Sequence, residues 1–333
     1  MIAIPPGLKE ALQAARRVLV ACHVNPDGDA IGSTAGIAAI ALHCGAEARI
    51  LLPAPLPEFL SWLPLPAPVV SGLAQMGDWK PDLICLVDCG DFARAGQELA
   101  DLMQAYAGQD GEGRAGVMTM NIDHHVSNPA YADINWVEPG CSATGELVGL
   151  LAEAEGMKLE GVLGQALYLA LSSDTGNFTY SNTTASCLAM ASRIVANGLN
   201  VARFTDLYEN NWDVERMHLW GRLMSEIALH EAGAIAVSVV PSHYLTERGL
   251  RRSALEGFAS WIRRLRGVRV SLFVREDSPG FCKISLRSMG DVNVQTIASR
   301  FGGGGHAAAA GAEISLPPEA IVRELLPLLR EAL

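Results

Sequence analysis

The sequence predicts an α/β fold: a mainly parallel sheet in an N-terminal domain, a helical connector, and a smaller α/β C-terminal domain. Three observations carry this. Strand-like apolar runs at 18–22, 47–52, 83–87 and 117–122 alternate with helical stretches at 31–43 and 93–105, as expected of a parallel sheet with crossover helices. From 141 to about 229 the pattern turns helical, including Thr184 to Ala196 and Val214 to Leu229. Strand-like segments then return at Ala234–Val240, Val268–Val274 and Lys283–Leu286, with helices expected over Val292–Ala298 and Ala320–Leu329. These shifts place the domains at 1–190 and 231–333, with the connector at 191–230. The proline-rich stretches 52–57 and 64–68 read as a stiffened loop excursion, and Gly108–Gly113 as a turn-rich loop.

The strand ends hold the chemistry. Val18–Ala21 runs into His23-Val24-Asn25-Pro26-Asp27-Gly28-Asp29-Ala30-Ile31-Gly32-Ser33, and the helix-like Gly36–Leu42 follows. One imidazole and two carboxylates thus share a tight strand-to-helix loop, where open α/β sheets place their sites. The run Asp82–Val87 ends in Asp88, with Asp91 just beyond; Val117–Ile122 runs into Asp123-His124-His125. A fourth apolar run, Ala166–Leu171, ends in Ser172-Ser173-Asp174-Thr175-Gly176. Any one of these groups is also what a helix cap or an Asx-turn uses. Four of them after four apolar runs, all built of His and Asp, read together as a metal site.

Composition narrows the classes. At 333 residues, 50% apolar and 18% charged, the chain has ample core for two domains. No basic segment precedes an apolar stretch with a cleavage site, and the apolar runs are too short or too interrupted for a membrane span. The seven cysteines, Cys22, Cys44, Cys85, Cys89, Cys141, Cys187 and Cys282, form no CxxC pair. A reducing cytoplasm and no cysteine-based zinc site are therefore expected. Residues 1–230 carry 12 Lys and Arg against 26 Asp and Glu; residues 231–333 carry 13 against 10. The acidic part suits divalent cations, and the basic part can receive an anionic substrate. A broad basic stripe of the kind that grips long nucleic acid is missing. The local cluster Arg263-Arg264-Leu265-Arg266 with Arg269 reads as a solvated helix face.

The ordered series ending in Asp123-His124-His125 resembles the DHH phosphoesterase superfamily, named for that triplet. Phe301-Gly302-Gly303-Gly304-Gly305-His306-Ala307-Ala308-Ala309-Ala310-Gly311 resembles the glycine-rich signature of the DHH-associated C-terminal domain. Together they span nearly the whole chain and are most similar to the short subfamily of oligoribonucleases (nanoRNases) and 3′-phosphoadenosine 5′-phosphate (pAp) phosphatases. The resemblance implies an active site in the cleft between the two domains and two divalent ions; mixed His/Asp ligation suits Mn²⁺ and leaves Mg²⁺, Zn²⁺ and Co²⁺ open. A metal pair about 3.5–4 Å apart serves both the entering and the leaving oxygen of a phosphate ester.

By that resemblance His23, Asp27 and Asp88 hold one ion, and Asp29, Asp88, His124 and Asp174 the other, with Asp88 bridging. His125 faces the substrate phosphate or leaving group, and Asp123 supports the histidines. Arg287 matches a position that grips phosphate or base. On composition alone the glycine run reads as a flexible linker. Following a helix and leading into His306, Gly303, Gly304 and Gly305 read instead as a phosphate nest. Ala312 stands where relatives often carry a larger residue. The expected substrates are RNA fragments of a few nucleotides, cut to 5′-mononucleotides, and pAp; a homodimer is compatible with this reading, and neither long nucleic acid nor a membrane is expected as partner. Other readings stay open: a hydrolase of cyclic dinucleotides or their linear products has the same metal centre, and a nucleotide-binding regulator has the same fold. A single-strand DNA exonuclease needs further domains for which there is no room. A family II pyrophosphatase lacks the 302–311 type of sequence.

Overall fold

The structure, a computed structural model, describes residues 2–52, 56, 60–107 and 116–333. Pro53, Ala54, Pro55 and Pro57 of the first proline-rich stretch and all of Gly108–Gly113 lie outside the described residues. The chain forms two compact units, Met1–Asn210 and Asn211–Leu333.

In the first unit, helix α1 (Leu8–Ala14) precedes β1 (Arg17–Ala21), α2 (Gly28–His43), β2 (Glu47–Leu51), β3 (Val69–Val70), β4 (Leu83–Val87), α3 (Gln97–Ala107), β5 (Met118–Asp123) and β6 (Ile134–Val137). Helices α4 (Thr144–Ala154), α5 (Gly161–Asp174), α6 (Ala185–Ala196) and α7 (Val201–Tyr208) complete it. The six strands are all parallel, in the order β3-β2-β1-β4-β5-β6. Period-two alternation sorts each strand between two cores. Val18, Val20, Leu83, Cys85 and Val87 pack with α2, α4 and α5 on one face. Leu19, Ala21, Ile84 and Leu86 pack with Leu99 and Met103 of α3 on the other. Both faces are covered, so the strands read as unbroken apolar runs.

This order reverses between β1 and β4, which are neighbours in the sheet but not in sequence. In open α/β sheets the crevice at such a switch point, beyond the carboxyl ends of the strands, is where ligands bind. His23 and Asp27 follow β1, and Asp88 follows β4.

The close approach of α2 to α5 depends on glycine. A Cβ on Gly32 would lie 2.3 Å from the carbonyl oxygen of Ala166, and one on Gly28 would lie 2.6 Å from Cβ of Ser173. On the next turn, a Cβ on Gly36 would meet a Val148 methyl at 2.6 Å. The spacing of four puts all three on one helix face.

The second unit opens with α8 (Val214–Ser225), followed by β7 (Ala228–His230) and β8 (Ile235–Val240). Short helical turns α9 (His243–Thr246) and α10 (Phe258–Trp261) lead to β9 (Val270–Ser278), β10 (Phe281–Ser288), α11 (Gln295–Ser299), β11 (Gly304–His306), β12 (Ala309–Ile314) and α12 (Pro318–Glu331). Its sheet runs β11-β12-β10-β9-β8-β7, with only the β8–β9 pair parallel. One face buries Leu272, Ile284 and Leu286 against Ile321, Leu325 and Leu329 of α12; the other buries Phe273 among Trp220, Leu223 and Phe258.

Ala166–Leu171 lies inside α5, in the stretch expected to be helical, so Asp174 ends a helix. Several other elements differ from the sequence expectation. The helix expected to Leu229 stops at Ser225, and Ala228–His230 is strand β7. The helix expected from Val292 starts only at Gln295, whose N–H donates to the Asn293 side chain at 3.0 Å. The expected connector 191–230 contributes α7 to the first unit and α8 to the second.

Replacing Gly32 with Ala should cost about 1–3 kcal/mol, because backbone carbonyl and helix must part to admit the methyl group. Gly221 in α8 has open space around its Cβ position, and Gly221→Ala should stabilise by about 0.5–1 kcal/mol through helix propensity. Urea midpoints of the two variants should move in opposite directions. A Gly32→Ala midpoint at or above wild type would contradict the packing argument.

Candidate metal centre

Each ligand candidate is positioned by the end of an element. Asp27 is the N-cap of α2, its carboxylate accepting from the Ala30 N–H at 3.0 Å. Asp29, in the first turn of α2, is fully buried. Its two oxygens accept the N–H groups of Thr144 at 2.7 Å and Gly145 at 2.9 Å, the opening residues of α4, and the Ser33 hydroxyl at 2.9 Å. A helix N-terminus aimed at a carboxylate is a favourable charge–dipole arrangement.

Asp88 follows β4 in the left-handed region, with φ of 50°, a conformation that costs a non-glycine residue energy and clusters at functional sites. Its N–H donates to the Ile122 carbonyl at 3.0 Å, which ties the turn to β5.

These side chains converge. His23, Asp27 and Asp88 offer ligand atoms within 4.8 Å of one another, and so do Asp29, His124 and Asp174. Asp88 faces both groups: one carboxylate oxygen is 3.5 Å from Nε2 of His23, and the other is 3.7 Å from Nε2 of His124. His124 Nε2 lies 3.1 Å from Asp174 and 3.8 Å from Asp29. Its Nδ1 faces the Cys141 carbonyl at 3.3 Å. A carbonyl only accepts, so Nδ1 carries a proton, and Nε2 is the nitrogen left to face the carboxylates or an ion among them.

His125 is held differently. Its Nδ1 sits 2.7 Å from Asp123 and 3.6 Å from Asp88. The other Asp123 oxygen accepts from the Asn128 amide at 2.6 Å, and that amide also donates to Asn121 at 2.7 Å. Burial works against the charge on Asp123, but the bonds from His125 and Asn128 outweigh it and hold its pKa below the usual carboxylate value.

The electrostatics suit cations. Burial first, then the charge of Asp174, pushes Asp29 up to about 8; burial and the charges of Asp29, Asp27 and Asp174 raise Asp88 well above its ordinary value. Burial opposes charge on His124, yet the bond to Asp174 and the neighbouring Asp29 push it up to about 10. Desolvation lowers His23, so its ring is neutral and ready to ligate. Asp174 adds a carboxylate at the negative end of α5, an unfavourable position unless positive charge stands opposite. Four mutually repelling carboxylates with two imidazoles among them are a donor set for divalent cations, and the residues fit that group.

Asp29 and His124 both bind protons more tightly folded than unfolded, so without metal stability is lost as pH rises through their folded values. His23, with its lowered value, acts oppositely only below the ordinary histidine range. Chelator-treated protein should therefore melt lower at pH 8 than at pH 6.5, and Mn²⁺ should reverse the loss. A chelated protein more stable at pH 8 would contradict the assignment.

In the second unit, Arg287 lies on β10, its Nε donating to the Ser260 hydroxyl at 3.3 Å and Nη1 to the Leu286 carbonyl at 3.0 Å. The glycine run, expected as a nest, is largely a strand: Gly304, Gly305 and His306 pair with Gly311, Ala310 and Ala309. Backbone packing explains two of its glycines, since a Cβ on Gly303 would lie 2.1 Å from the Gly311 carbonyl oxygen and one on Gly305 2.4 Å from that of Ala309. Gly304 has open space at its Cβ position, where a ligand can approach its backbone. Ala312 is buried in β12, beside the position a Gly303 Cβ would take.

Sequence reasoning missed the residues that hold the ligands in place. Thr144, Gly145, Ser33, Asn121 and Asn128 all belong here. Ser142-Ala143-Thr144-Gly145 ahead of an apolar run did carry a helix-start signal, but its target, Asp29, lies more than a hundred residues earlier.

A parallel sheet with a carboxylate–imidazole cluster at its switch point suits a metal-dependent phosphoesterase. Residues 17–172 match the DHH family N-terminal domain and residues 233–333 the DHHA1 domain, and the chain belongs to the DHH family. The chain is 30% identical over 317 residues to the bifunctional oligoribonuclease and PAP phosphatase NrnA of Thermus thermophilus, covering 95% of this chain and 90% of that one. It is 27% identical to the Bacillus subtilis protein of the same name, covering 93% of each. A crystal structure of an exopolyphosphatase-related protein from Bacteroides fragilis superposes with a TM-score of 0.85 at 25% identity, covering 96% of both chains. No described helix is long and apolar enough to cross a membrane.

Proposed function

We propose that this chain is a Mn²⁺-dependent phosphohydrolase that cuts RNA of a few nucleotides to 5′-mononucleotides and removes the 3′-phosphate of pAp. The observation that carries the reading is Asp88, whose two oxygens face two separate ligand groups. The near full-length likeness to enzymes named for both activities supports the substrates.

In this reading His23, Asp27 and Asp88 hold one divalent ion, and Asp29, Asp88, His124 and Asp174 hold a second. When bound, such a pair polarises the phosphate ester and supplies a nucleophile at neutral pH. The chain's own residues do the rest. Thr144 and Gly145 fix Asp29; Asp123 holds the His125 ring so that it meets the leaving oxygen, where a proton is required. Arg287 and His306 receive substrate phosphate, with Gly304 leaving the backbone open to it.

One panel tests the reading: RNA dinucleotide, pAp, cyclic di-AMP, pyrophosphate and long single-stranded DNA with Mn²⁺, plus an RNA length ladder at two salt concentrations. Cleavage should be most efficient at about two to five nucleotides with a shallow salt dependence, since a short substrate offers few phosphates to neutralise. Processive digestion of long strands with a steep salt slope would overturn it; cyclic di-AMP as the best substrate would move the protein to the cyclic-dinucleotide branch. Arg287→Ala should leave metal content intact and raise KM by about tenfold or more, the worth of a charge-assisted phosphate contact. Loss of metal with substrate affinity kept would contradict that role.

A further inference from the structure

In the second unit, Arg263, Arg264, Arg266 and Arg269 line one open cavity of about 480 Å³, together with Val268 and Met289. Four guanidinium groups within seven residues repel one another, in a chain whose net charge is −11. Two are fixed from behind: Arg263 Nη1 donates to the Ser288 carbonyl at 2.9 Å, and Arg269 donates to the Leu333 carbonyl and to Asp291. Asp291 offsets one charge. Arg264 and Arg266 are exposed and have no hydrogen bond or ion pair among the described residues. Gly267 and Gly290 turn the rim at φ of 88° and 73°, with nothing near their Cβ positions, so the mouth stays clear. Met289, 51% exposed, gives the cavity an apolar wall. The lining runs from residue 263 to 290 and includes none of the expected metal or substrate residues.

We propose that this cavity is a second anion site, one that takes the phosphate groups of a phosphorylated small molecule and rests its apolar part on Met289. Planar guanidinium groups pair with phosphate oxygens two at a time, and several arginines lining one cavity favour phosphate over a single carboxylate. A nucleotide and free phosphate share this chemistry. The solvated-face reading of the cluster accounts for Arg264 and Arg266, but not for the two fixed arginines and the apolar wall they share.

The test is calorimetric titration of the full chain with ADP and with inorganic phosphate, in wild type and in the double variant R264Q/R266Q. Both positions are exposed, so the variant should fold; its melting temperature checks this. The double variant should bind ADP about tenfold more weakly or worse, the loss expected of charge-assisted phosphate contacts. Its kcat and KM on the best substrate of the panel should not change. ADP tighter than phosphate identifies a nucleotide as the ligand, and equal affinity identifies phosphate alone; either supports the site. Three results would overturn it: equal ADP affinity in the two proteins, no ADP or phosphate binding by wild type, or loss of hydrolysis in step with binding, which would assign the arginines to the substrate path.

Discussion

Asp88→Asn should abolish hydrolysis, lowering kcat/KM by about 10⁴ or more, equivalent to about 5.4 kcal/mol of transition-state stabilisation. Both oxygens of Asp88 face ligand groups, so its replacement weakens the whole centre where loss of His23 or Asp174 weakens one side. Asparagine is the informative choice, because it keeps the volume and tolerates the left-handed backbone at this position. It also removes a charge that burial and four neighbouring carboxylates oppose. The metal-free variant should therefore be at least as stable as metal-free wild type, while its stabilisation by Mn²⁺ shrinks. An inactive variant that retains the full metal complement would show that Asp88 does not bind the ions.

The second large effect is expected at His125. His125→Gln should lower kcat by about 10²–10⁴, the range of a lost general acid or base, with metal content unchanged. The motive is its Nδ1, committed to Asp123 at 2.7 Å, with Asp123 held in turn by Asn128. Asn128→Ala should act in the same direction and more weakly, by about 10–100-fold, as removal of a partner behind a functional group does. Measured kcat, KM and bound metal for both variants check the scheme. If His125→Gln instead loses metal and keeps its turnover per bound ion, the histidine is a ligand.

Much of the site is written in local sequence. β1, β4 and β5 are apolar runs that stop at His23, Asp88 and Asp123, and each stop is a change from buried strand to a polar loop. The arrival of Asp174 from a helix was half legible: its residue type and its place after an apolar run were plain, but the geometry was set by α2 packing on α5 through Gly28, Gly32 and Gly36. That contact is tertiary, and glycines in a helix read locally as weakness. β12 was illegible for a related reason. Ala309-Ala310-Gly311-Ala312 has little strand propensity, and it becomes a strand because β10 and β11 pair with it from both sides. Val69–Val70 and Ala228–His230 were too short to register as strands. The support given to Asp29 by Thr144 and Gly145 joins segments that no local pattern connects.

In the proposed function one carboxylate, Asp88, joins two ligand groups into a single two-ion centre. Electron paramagnetic resonance of the Mn²⁺-loaded protein, read alongside bound-metal analysis, addresses it directly. Two manganese ions per chain with an exchange-coupled spectrum are expected, replaced in Asp88→Asn by the signal of an isolated ion or by none. One ion per chain in wild type, or two that remain magnetically independent, would contradict it.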